Sequence, residues 1–255
     1  MIKKKIEKII KLIFKSFGLR VRHYREPSYI KIIKELGTTI VFDIGANEGE
    51  FALSLREHGY KKKIVSFEPV NSAHQRLFIN SSLDSSWIVH PRVALGSEIG
   101  KTTINVAGNN AVSSSILEMG PIHKESSPES IYVGKEDVPI ITLDSIFEKY
   151  VGNDDIVFLK IDVQGYEDFV LIGAKSNIKN ITAIKLELSL TNLYEGGKLF
   201  DFYFSKLKTL GYEIYDLEPG HRHPKNGRLL QFDSIHVKKD EKYNRVSMPD
   251  PNNIA

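Results

Sequence analysis

Residues 40–49 read Ile-Val-Phe-Asp-Ile-Gly-Ala-Asn-Glu-Gly, and this stretch decides the fold. An apolar run that ends at Asp43 predicts a buried strand, and Gly45 and Gly49 predict a turn directly after it. Apolar residues then recur at helical spacing from Phe51 onward. A strand, a glycine turn and a helix in this order open a nucleotide-binding α/β unit.

The turn itself narrows the choice of cofactor. Its glycines are spaced as G-x-x-x-G, without the G-x-G-x-x-G pattern that holds a pyrophosphate. Asp43 precedes the turn, and a carboxylate at that place repels an anionic ligand. A cofactor with an ammonium group, an adenosine and no phosphate fits better, and S-adenosylmethionine is such a cofactor. On this turn alone, an NAD(P)-dependent oxidoreductase remains an alternative.

Composition favours a single large domain inside the cell. The chain has 255 residues, 41% of them hydrophobic, and no cysteine, so disulfides, thiolate metal sites and thiol nucleophiles are excluded. No apolar run reaches the roughly 18 to 20 residues that span a bilayer. The first residues also lack the apolar core and cleavage site of a secretory signal. We therefore expect a cytoplasmic protein.

The positive charge is concentrated at the start of the chain. Residues 1–25 hold nine Lys and Arg against one Glu, a net charge of +8; because the whole chain carries +3, the remainder carries −5. That acidic remainder argues against a nucleic-acid partner. Apolar residues recur every three or four positions over residues 2–17, which predicts a basic amphipathic helix. This helix can lie at the inner face of a membrane, pack on the protein's own core, or join two copies in a homodimer.

The rest of the chain alternates short apolar runs with helical patterns, which predicts a mostly parallel sheet with helices on both faces. We expect a helical leader over residues 1–37, one α/β domain over residues 38–240 and a disordered tail over residues 241–255. Residues 100–140 differ, because they predict a hairpin and then a long loop over the carboxyl ends of the strands. Strands are predicted near residues 39–43, 63–67, 87–94, 156–162, 182–188, 212–217 and 231–238, and helices near 49–58, 71–80, 142–149, 165–173 and 198–210.

Glu68 and Pro69 end the second predicted strand, 23 residues after Gly45. An acid binds the ribose diol at about this spacing in doubly wound folds, since one carboxylate can accept from both hydroxyls. A surface glutamate at a strand end is the alternative. The third strand leads to Ala94, where backbone and apolar side chains would flank an adenine ring.

Residues 158–167 read Phe-Leu-Lys-Ile-Asp-Val-Gln-Gly-Tyr-Glu. Lys160 and Asp162 are two positions apart on a strand, so their side chains share one face at its carboxyl end, where open α/β sheets bind ligands. A structural ion pair is the alternative. Glu167 falls in the first turn of the next helix, where either capping or function explains it. The following strand places Glu187 near the same end, and Asp162 with Glu187 can hold a divalent cation, although two carboxylates do not specify one.

Three histidines near the end of the chain also offer chemistry. His221 and His223 have the spacing of a metal-ligand pair, but an exposed loop is the favoured explanation. His236, in the last predicted strand, is a weaker candidate for a general base. We assign no metal ligand to the chain.

Five motifs then occur in one order, namely D-I-G-A-N-E-G from Asp43, F-E-P around Glu68, L-K-I-D-V-Q-G-Y-E from Leu159, L-Y-E-G from Leu193 and G-R-L-L-Q from Gly227. Together they resemble the FkbM family of S-adenosylmethionine-dependent methyltransferases over about residues 38–238. The resemblance implies a Rossmann-like seven-strand methyltransferase sheet whose last strand is antiparallel. It also implies methyl transfer to a hydroxyl oxygen of a sugar, glycan or natural product. Many members carry Glu where this chain has Gln164, and a glutamine can only form hydrogen bonds there.

We therefore predict a methyltransferase whose Asp162 faces the methyl group and orients or deprotonates the acceptor, with Lys160 and Glu187 nearby. Methylation of nitrogen or carbon, which needs no such base, remains open, as do an oxidoreductase and an inactive cofactor-binding module. The side chains and backbone expected to contact the cofactor belong to Asp43, Gly45, Asn47, Gly49, Glu68, Pro69, Ala94 and Asp162.

Overall fold

A computed structural model of the chain describes Ile6, Ile10, residues 12–18 and residues 26–239. Its main element is a seven-stranded sheet, and a second, three-stranded sheet lies beside it. In chain order the elements are α1 (Ser28–Leu36), β1 (Ile40–Ile44), α2 (Glu50–Glu57), β2 (Lys63–Phe67), α3 (Asn71–Ser81), β3 (Trp87–Val89), β4 (Ala94–Leu95), β5 (Gly100–Ala107), α4 (Pro121–Ser126), β6 (Tyr132–Ile141), α5 (Phe147–Tyr150), β7 (Val157–Ile161), α6 (Glu167–Gly173), β8 (Ile181–Ser189), α7 (Phe200–Thr209), β9 (Tyr212–Pro219) and β10 (Gln231–Lys238).

The large sheet has the strand order β3-β2-β1-β7-β8-β10-β9. Neighbouring strands from β3 to β8 run parallel, whereas β10 runs antiparallel to both β8 and β9. This confirms the predicted doubly wound sheet with a reversed last strand. The chain adds strands on one side of β1 and then crosses to the other side with β7. Ligands of open α/β sheets bind at such a switch point, at the carboxyl ends of the strands.

The central strands are buried on both faces, so each face of the sheet has its own core. On one face, Ile30, Ile33 and Leu36 of α1 pack in the same core as Val41 and Phe158. These three residues are each three positions apart, which places them on one side of α1. The core of the domain therefore includes α1, which the sequence analysis had placed in the leader.

The second sheet has the strand order β4-β6-β5 and corrects the prediction for residues 100–140. A hairpin does begin at Gly100, but its second strand is Tyr132–Ile141, which had been predicted as loop. Burial of Val138 and Ile140 at alternate positions explains this strand, since it packs one face only. The irregular segment is limited to residues 108–131, and even this contains α4.

Two further boundaries were predicted wrongly. The third strand ends at Val89 instead of continuing to residue 94, because Pro91 has no backbone N–H for the strand ladder. The predicted helix over residues 142–149 is reduced to Phe147–Tyr150. Thr142 begins a turn instead, in which the Ser145 hydroxyl donates to the Thr142 carbonyl oxygen, and such local bonds compete with a helix.

The described part of the leader is helical over residues 12–16, and its large apolar side chains are exposed, up to 76% for Phe17. The alternatives predicted for the leader, which are membrane contact, packing on the protein's own core and dimerisation, stay predictions. The remaining residues of the 2–17 segment and the predicted tail at 241–255 lie outside the described residues. Within the described ranges, no helix has the length and apolar character needed to cross a membrane.

Candidate active site

The turn after β1 lies against the end of β7. Gly45 has a φ of +71°, and a Cβ atom built on it would lie 1.8 Å from the carbonyl oxygen of Asp162. The backbone N–H of Asp162 donates to the carbonyl oxygen of Ile44 at 3.1 Å, which holds the two segments together. Only glycine combines this left-handed conformation with so close an approach.

A cavity of about 330 Å³ opens at this junction, within the size range of small-molecule sites. The cavity lies at the carboxyl ends of β1, β2 and β7, and residues of the segment 108–131 form another part of its wall. The wall, to which β4 also contributes, includes Gly45, Ala46, Asn47, Glu68, Pro69, Ala94, Leu95, Ala111, Ser114, Ile116, Lys160 and Asp162.

Most of the residues predicted to contact the cofactor line this cavity; Asp43 and Gly49 lie behind its wall. Asp43 is fully buried, and one carboxylate oxygen accepts from the Ser66 hydroxyl at 3.2 Å. Gly49 is the N-cap residue directly before α2 and has a φ of +94°, and a Cβ atom on it would lie 2.5 Å from the ring of Trp87. The structure thus gives both residues a supporting position.

Lys160 holds the glycine turn in place. Its Nζ donates to the carbonyl oxygen of Gly45 at 2.7 Å and lies 3.1 Å from a carboxylate oxygen of Asp43. Burial by itself would lower the pKa of Lys160, but the charges of Asp43 and Asp162 outweigh it and hold the pKa above its ordinary value. Lys160 is therefore a cation that positions the turn and the two carboxylates, and it cannot serve as a proton acceptor.

Asp162 is a carboxylate of the cavity wall with restraints on both of its oxygens. One oxygen lies 3.6 Å from Lys160 Nζ, and the other accepts from the side-chain amide of Gln164 at 2.8 Å. Its side chain remains 33% exposed, so it is fixed in place but open to a ligand. A carboxylate in this position can accept a hydrogen bond, or a proton, from a group that enters the cavity.

Gln164, which also lines the cavity, supports Asp162 directly, and Glu187 supports it through Gln164. The Gln164 amide donates to Glu187 at 2.7 Å as well as to Asp162, while its carbonyl oxygen accepts from the Tyr194 hydroxyl at 2.6 Å. Glu187 also accepts from the Gln231 amide at 3.0 Å and lies outside the cavity wall. Burial, with the nearby Asp162 and Asp233, raises the pKa of Glu187 well above its usual value. The structure therefore places Glu187 as a partner of Gln164, one side chain away from the cavity.

Glu68 is the second carboxyl group of the cavity wall. One of its oxygens accepts from the backbone N–H of Asn47 and the other from that of Val70, both at 2.8 Å. The residue is only 6% exposed, and burial raises its pKa from 4.5 to about 7, although the two N–H donors and Lys160 oppose this. Each carboxylate oxygen retains a further lone pair, so Glu68 can still accept from a ligand's hydroxyl groups.

Sequence comparison identifies the family. A model described as the methyltransferase FkbM domain matches residues 43–214, which is more than half of the chain. The chain belongs to the FkbM methyltransferase family. Its cofactor is accordingly S-adenosylmethionine, and the wall of the cavity fits it: the carboxylates of Glu68 and Asp162 suit hydroxyl groups and a cation, and Ala94 and Leu95 offer an apolar surface to a base.

Solved structures of several methyltransferases match the chain with TM-scores of 0.43 to 0.46. Magnesium protoporphyrin IX methyltransferase from Synechocystis PCC 6803, with bound cofactor, has a TM-score of 0.44 at 8% identity, covering 94% of this chain and 84% of that one. Fibrillarin from Aeropyrum pernix, in complex with S-adenosyl-L-methionine, has a TM-score of 0.43 at 12% identity, and the match covers 79% of this chain and 66% of fibrillarin. TehB from Haemophilus influenzae has a TM-score of 0.46 at 11% identity, and the match covers 86% of this chain and 64% of TehB. A search of curated proteins found no match.

The histidines and Glu167 lie outside the cavity wall of this FkbM methyltransferase. His236 is buried against the Phe204 ring, and burial lowers its pKa to about 4. Its prediction as a base therefore finds no support in the structure. His221 contacts the Ser126 hydroxyl at 3.1 Å, and no group of three or more His, Asp or Glu residues in the described ranges could hold a metal. Glu167 accepts from the backbone N–H groups of Val163 and Gly165, which precede α6, so its carboxylate holds this turn and does not cap the helix.

The residues of the cavity wall that the sequence analysis missed include Tyr29, Phe51, Lys185 and Asp233. Phe51 was assigned only to a helix stripe, and Tyr29 to the leader. Lys185 is two positions before Glu187 and shares its face of β8, which was an available signal. Asp233 is opposite Glu187 in the register of β10 and β8, which a single sequence could not indicate.

Proposed function

We propose that this FkbM methyltransferase transfers a methyl group to a hydroxyl oxygen of a sugar, glycan or natural product. The observation that carries the proposal is the position of Asp162. Its partly exposed carboxylate lies in the same cavity as Gly45 and Glu68, and Lys160 and Gln164 restrain it from two sides. A hydroxyl must lose its proton when it is methylated, and a restrained carboxylate beside it can accept that proton.

The chain's own residues would divide the work in a simple way. Bound S-adenosylmethionine supplies an electrophilic methyl group on a sulfonium. Glu68 would accept hydrogen bonds from the ribose hydroxyls, and the turn at Gly45 would contact the rest of the cofactor. Asp162 would orient the acceptor hydroxyl and take its proton. Holding the two reactants in line can lower the barrier by about 7 to 11 kcal/mol, and a general base typically adds about 10²- to 10⁴-fold.

The alternatives differ in what they require of this site. Methylation of an amine or a carbon acceptor would not need Asp162 as a base. An oxidoreductase would place a pyrophosphate at the turn, next to the carboxylates of Asp43 and Glu68, where like charges repel. An inactive binding module would bind the cofactor without turning it over.

The test begins with calorimetric titration of S-adenosylhomocysteine into the full chain, beside NAD⁺. Transfer of labelled methyl from S-adenosylmethionine is then measured with methyl glycosides and with matched amino sugars. We expect methyl ethers as products. Asp162→Asn should abolish transfer while the Kd for S-adenosylhomocysteine changes less than about threefold, and Asp154→Asn, on an exposed turn, should have no effect. Transfer that survives Asp162→Asn, or that occurs only to amines, would refute the proposal.

We also propose that the leader attaches the enzyme to an anionic membrane surface. Residues 1–25 carry a net charge of +8, and Ile13, Phe14 and Phe17 are exposed. Apolar side chains combined with Lys and Arg are the usual basis of interfacial helix binding. Acceptors linked to lipids would then be within reach of the cavity.

Vesicle sedimentation tests this attachment. The full chain should sediment with vesicles of phosphatidylglycerol but not of phosphatidylcholine, and high salt should release it. The double variant Phe14→Ser/Phe17→Ser should remain in solution, whereas Leu83→Ser, at an exposed position outside the leader, should behave like the wild type. A homodimer that dissociates in the double variant, without vesicle binding by the wild type, would show that the apolar side chains join two copies instead.

A further inference from the structure

Charged side chains form a row across the face of the sheet that α1 and α2 cover. Asp43 is opposite Lys160 in the register of β1 and β7, and Lys160 is opposite Lys185 in the register of β7 and β8. Two neighbouring ammonium groups on a sheet repel each other unless acids separate them. Asp43 and Asp162 neutralise Lys160, and Asp233 neutralises Lys185.

The pair Lys185–Asp233 has no evident role in holding the cofactor. The Nζ atom of Lys185 lies 2.6 Å from a carboxylate oxygen of Asp233, and the lysine side chain is 8% exposed while the aspartate side chain is 30% exposed. Both line the cavity, so the aspartate opens toward a ligand while the lysine lies deeper. Buried ion pairs are often no more stabilising than apolar side chains of similar size. Stability alone therefore does not explain this pair.

An aromatic wall lies next to the pair. The rings of Tyr29 and Phe51 have centroids 4.9 Å apart, and both residues line the cavity. Lys185 Nζ lies 6.0 Å from the Tyr29 ring, and Lys160 Nζ lies 6.0 Å from the Phe51 ring. A continuous surface thus leads from Asp162 and Lys160, past the two rings, to Lys185 and Asp233. It combines a flat apolar side with a donor and an acceptor.

The charge of the cavity limits what can bind on this surface. Four carboxyl groups line it, those of Glu50, Glu68, Asp162 and Asp233, against the ammonium groups of Lys160 and Lys185. S-adenosylmethionine brings a sulfonium, an ammonium and a carboxylate, so the formal charge stays negative after it binds. An acceptor with a carboxylate or phosphate near the reacting hydroxyl would be repelled.

We propose that Tyr29, Phe51, Lys185 and Asp233 form the acceptor subsite and that it selects an uncharged ring with neighbouring hydroxyl groups. Asp233 accepts from one hydroxyl, Lys185 donates to the next, and the apolar face of the ring packs on Tyr29. This inference rests on the proposed methyl transfer, because it assigns the acceptor's position relative to Asp162. Asp233 and Lys185 are then specificity-determining residues for the acceptor and contribute little to cofactor affinity.

The experiment is saturation-transfer NMR on the full chain loaded with S-adenosylhomocysteine. The probes are methyl glycosides of glucose, galactose and mannose, each beside its matched uronate. We expect the neutral glycosides to bind and the uronates to bind at least fivefold more weakly. Asp233→Asn should weaken the neutral glycosides by about tenfold, the effect of losing a hydrogen bond to a charged group. Asp216→Asn, on the neighbouring strand β9 and outside the cavity wall, is the matched control.

A second variant covers the case in which Asp233→Asn fails to fold because Lys185 loses its counter-charge. The double variant Lys185→Met/Asp233→Asn removes both charges, should fold, and should show the same loss of glycoside binding. Wild-type protein that binds no S-adenosylhomocysteine would refute the proposed methyl transfer itself. Three results would overturn the subsite alone, provided that S-adenosylhomocysteine binds normally. The uronates could bind as tightly as the neutral glycosides, no glycoside could bind at all, or glycoside binding could be unchanged in the variants.

Discussion

Glu68 allows the sharpest prediction, because its protonation should control cofactor affinity near neutral pH. The group is buried, and its pKa is raised from 4.5 to about 7. Only the ionised carboxylate can accept from both ribose hydroxyls while it also accepts from the backbone N–H groups of Asn47 and Val70. Cofactor binding should therefore favour the ionised form and strengthen as the pH rises through about 7.

The size of the effect follows from the pKa. A rise from 4.5 to about 7 corresponds to about 3 kcal/mol against the ionised carboxylate in the unliganded protein. If only the ionised form binds, the apparent Kd is multiplied by one plus the ratio of protonated to ionised groups. For a pKa of about 7, that factor is about 1.1 at pH 8 and about 11 at pH 6. The Kd for S-adenosylhomocysteine should thus increase about tenfold between pH 8 and pH 6.

The substitution Glu68→Gln removes the titrating group. At pH 8 it should weaken S-adenosylhomocysteine by about 10- to 100-fold, because hydrogen bonds to a charged acceptor contribute about 1.5 to 3 kcal/mol. The remaining affinity should be flat between pH 6 and pH 8. The chain offers a matched control in Glu167, which is also buried, also accepts two backbone N–H bonds and also has a pKa of about 7, but lies outside the cavity wall.

Isothermal titration with S-adenosylhomocysteine at pH 6, 7 and 8 separates the two residues. Both carboxyl groups have raised pKa values, so each stabilises the unliganded fold below about pH 4.5 and loses that contribution as the pH rises through about 7. Both substitutions should therefore change the pH dependence of Tm. Only Glu68→Gln should remove the pH dependence of the Kd for S-adenosylhomocysteine. A wild-type Kd that is constant over this range, or a Glu167→Gln variant that flattens it equally, would refute the reasoning.

Three further substitutions test the support of the site. Gly45→Ala should destabilise the fold or prevent folding, because its Cβ would overlap the Asp162 carbonyl oxygen; thermal unfolding measures this, and a wild-type Tm would contradict it. Lys160→Met should lower the free energy of unfolding by about 3 to 5 kcal/mol, since Asp43 would remain buried without its counter-charge. Urea unfolding measures this loss, and a loss below about 1 kcal/mol would contradict the role of the charge pair. Tyr194→Phe should lower the free energy of unfolding by about 1 to 3 kcal/mol, because Gln164 loses a hydrogen bond. It should also lower the kcat of methyl transfer more than the affinity for the cofactor, and equal changes in kcat and in Kd would contradict this prediction.

Much of the fold could be predicted because its signals are local. The buried run before Asp43, the glycines of the turn and the apolar helix stripe lie within about twenty consecutive residues. The mostly parallel direction of the strands was predictable as well, since short apolar runs that alternate with helices form parallel sheets. Predictions were wrong where a segment depends on distant partners. The strand at residues 132–141 is stabilised by pairing with β4 and β5, and its own residues resemble a loop.

The candidate site divides in the same way. Gly45, Glu68 and Asp162 could be predicted, because each follows a buried strand and the carboxyl ends of parallel strands meet at one edge of the sheet. The sequence by itself therefore determined the fold class, the cofactor and the strand ends that meet around it. Only the tertiary structure placed Glu187 behind Gln164 and brought Tyr29, Lys185 and Asp233 into the cavity wall. Those residues come from a helix and two strands far apart in the chain, and their distances are decided by packing and strand register, which no local pattern records.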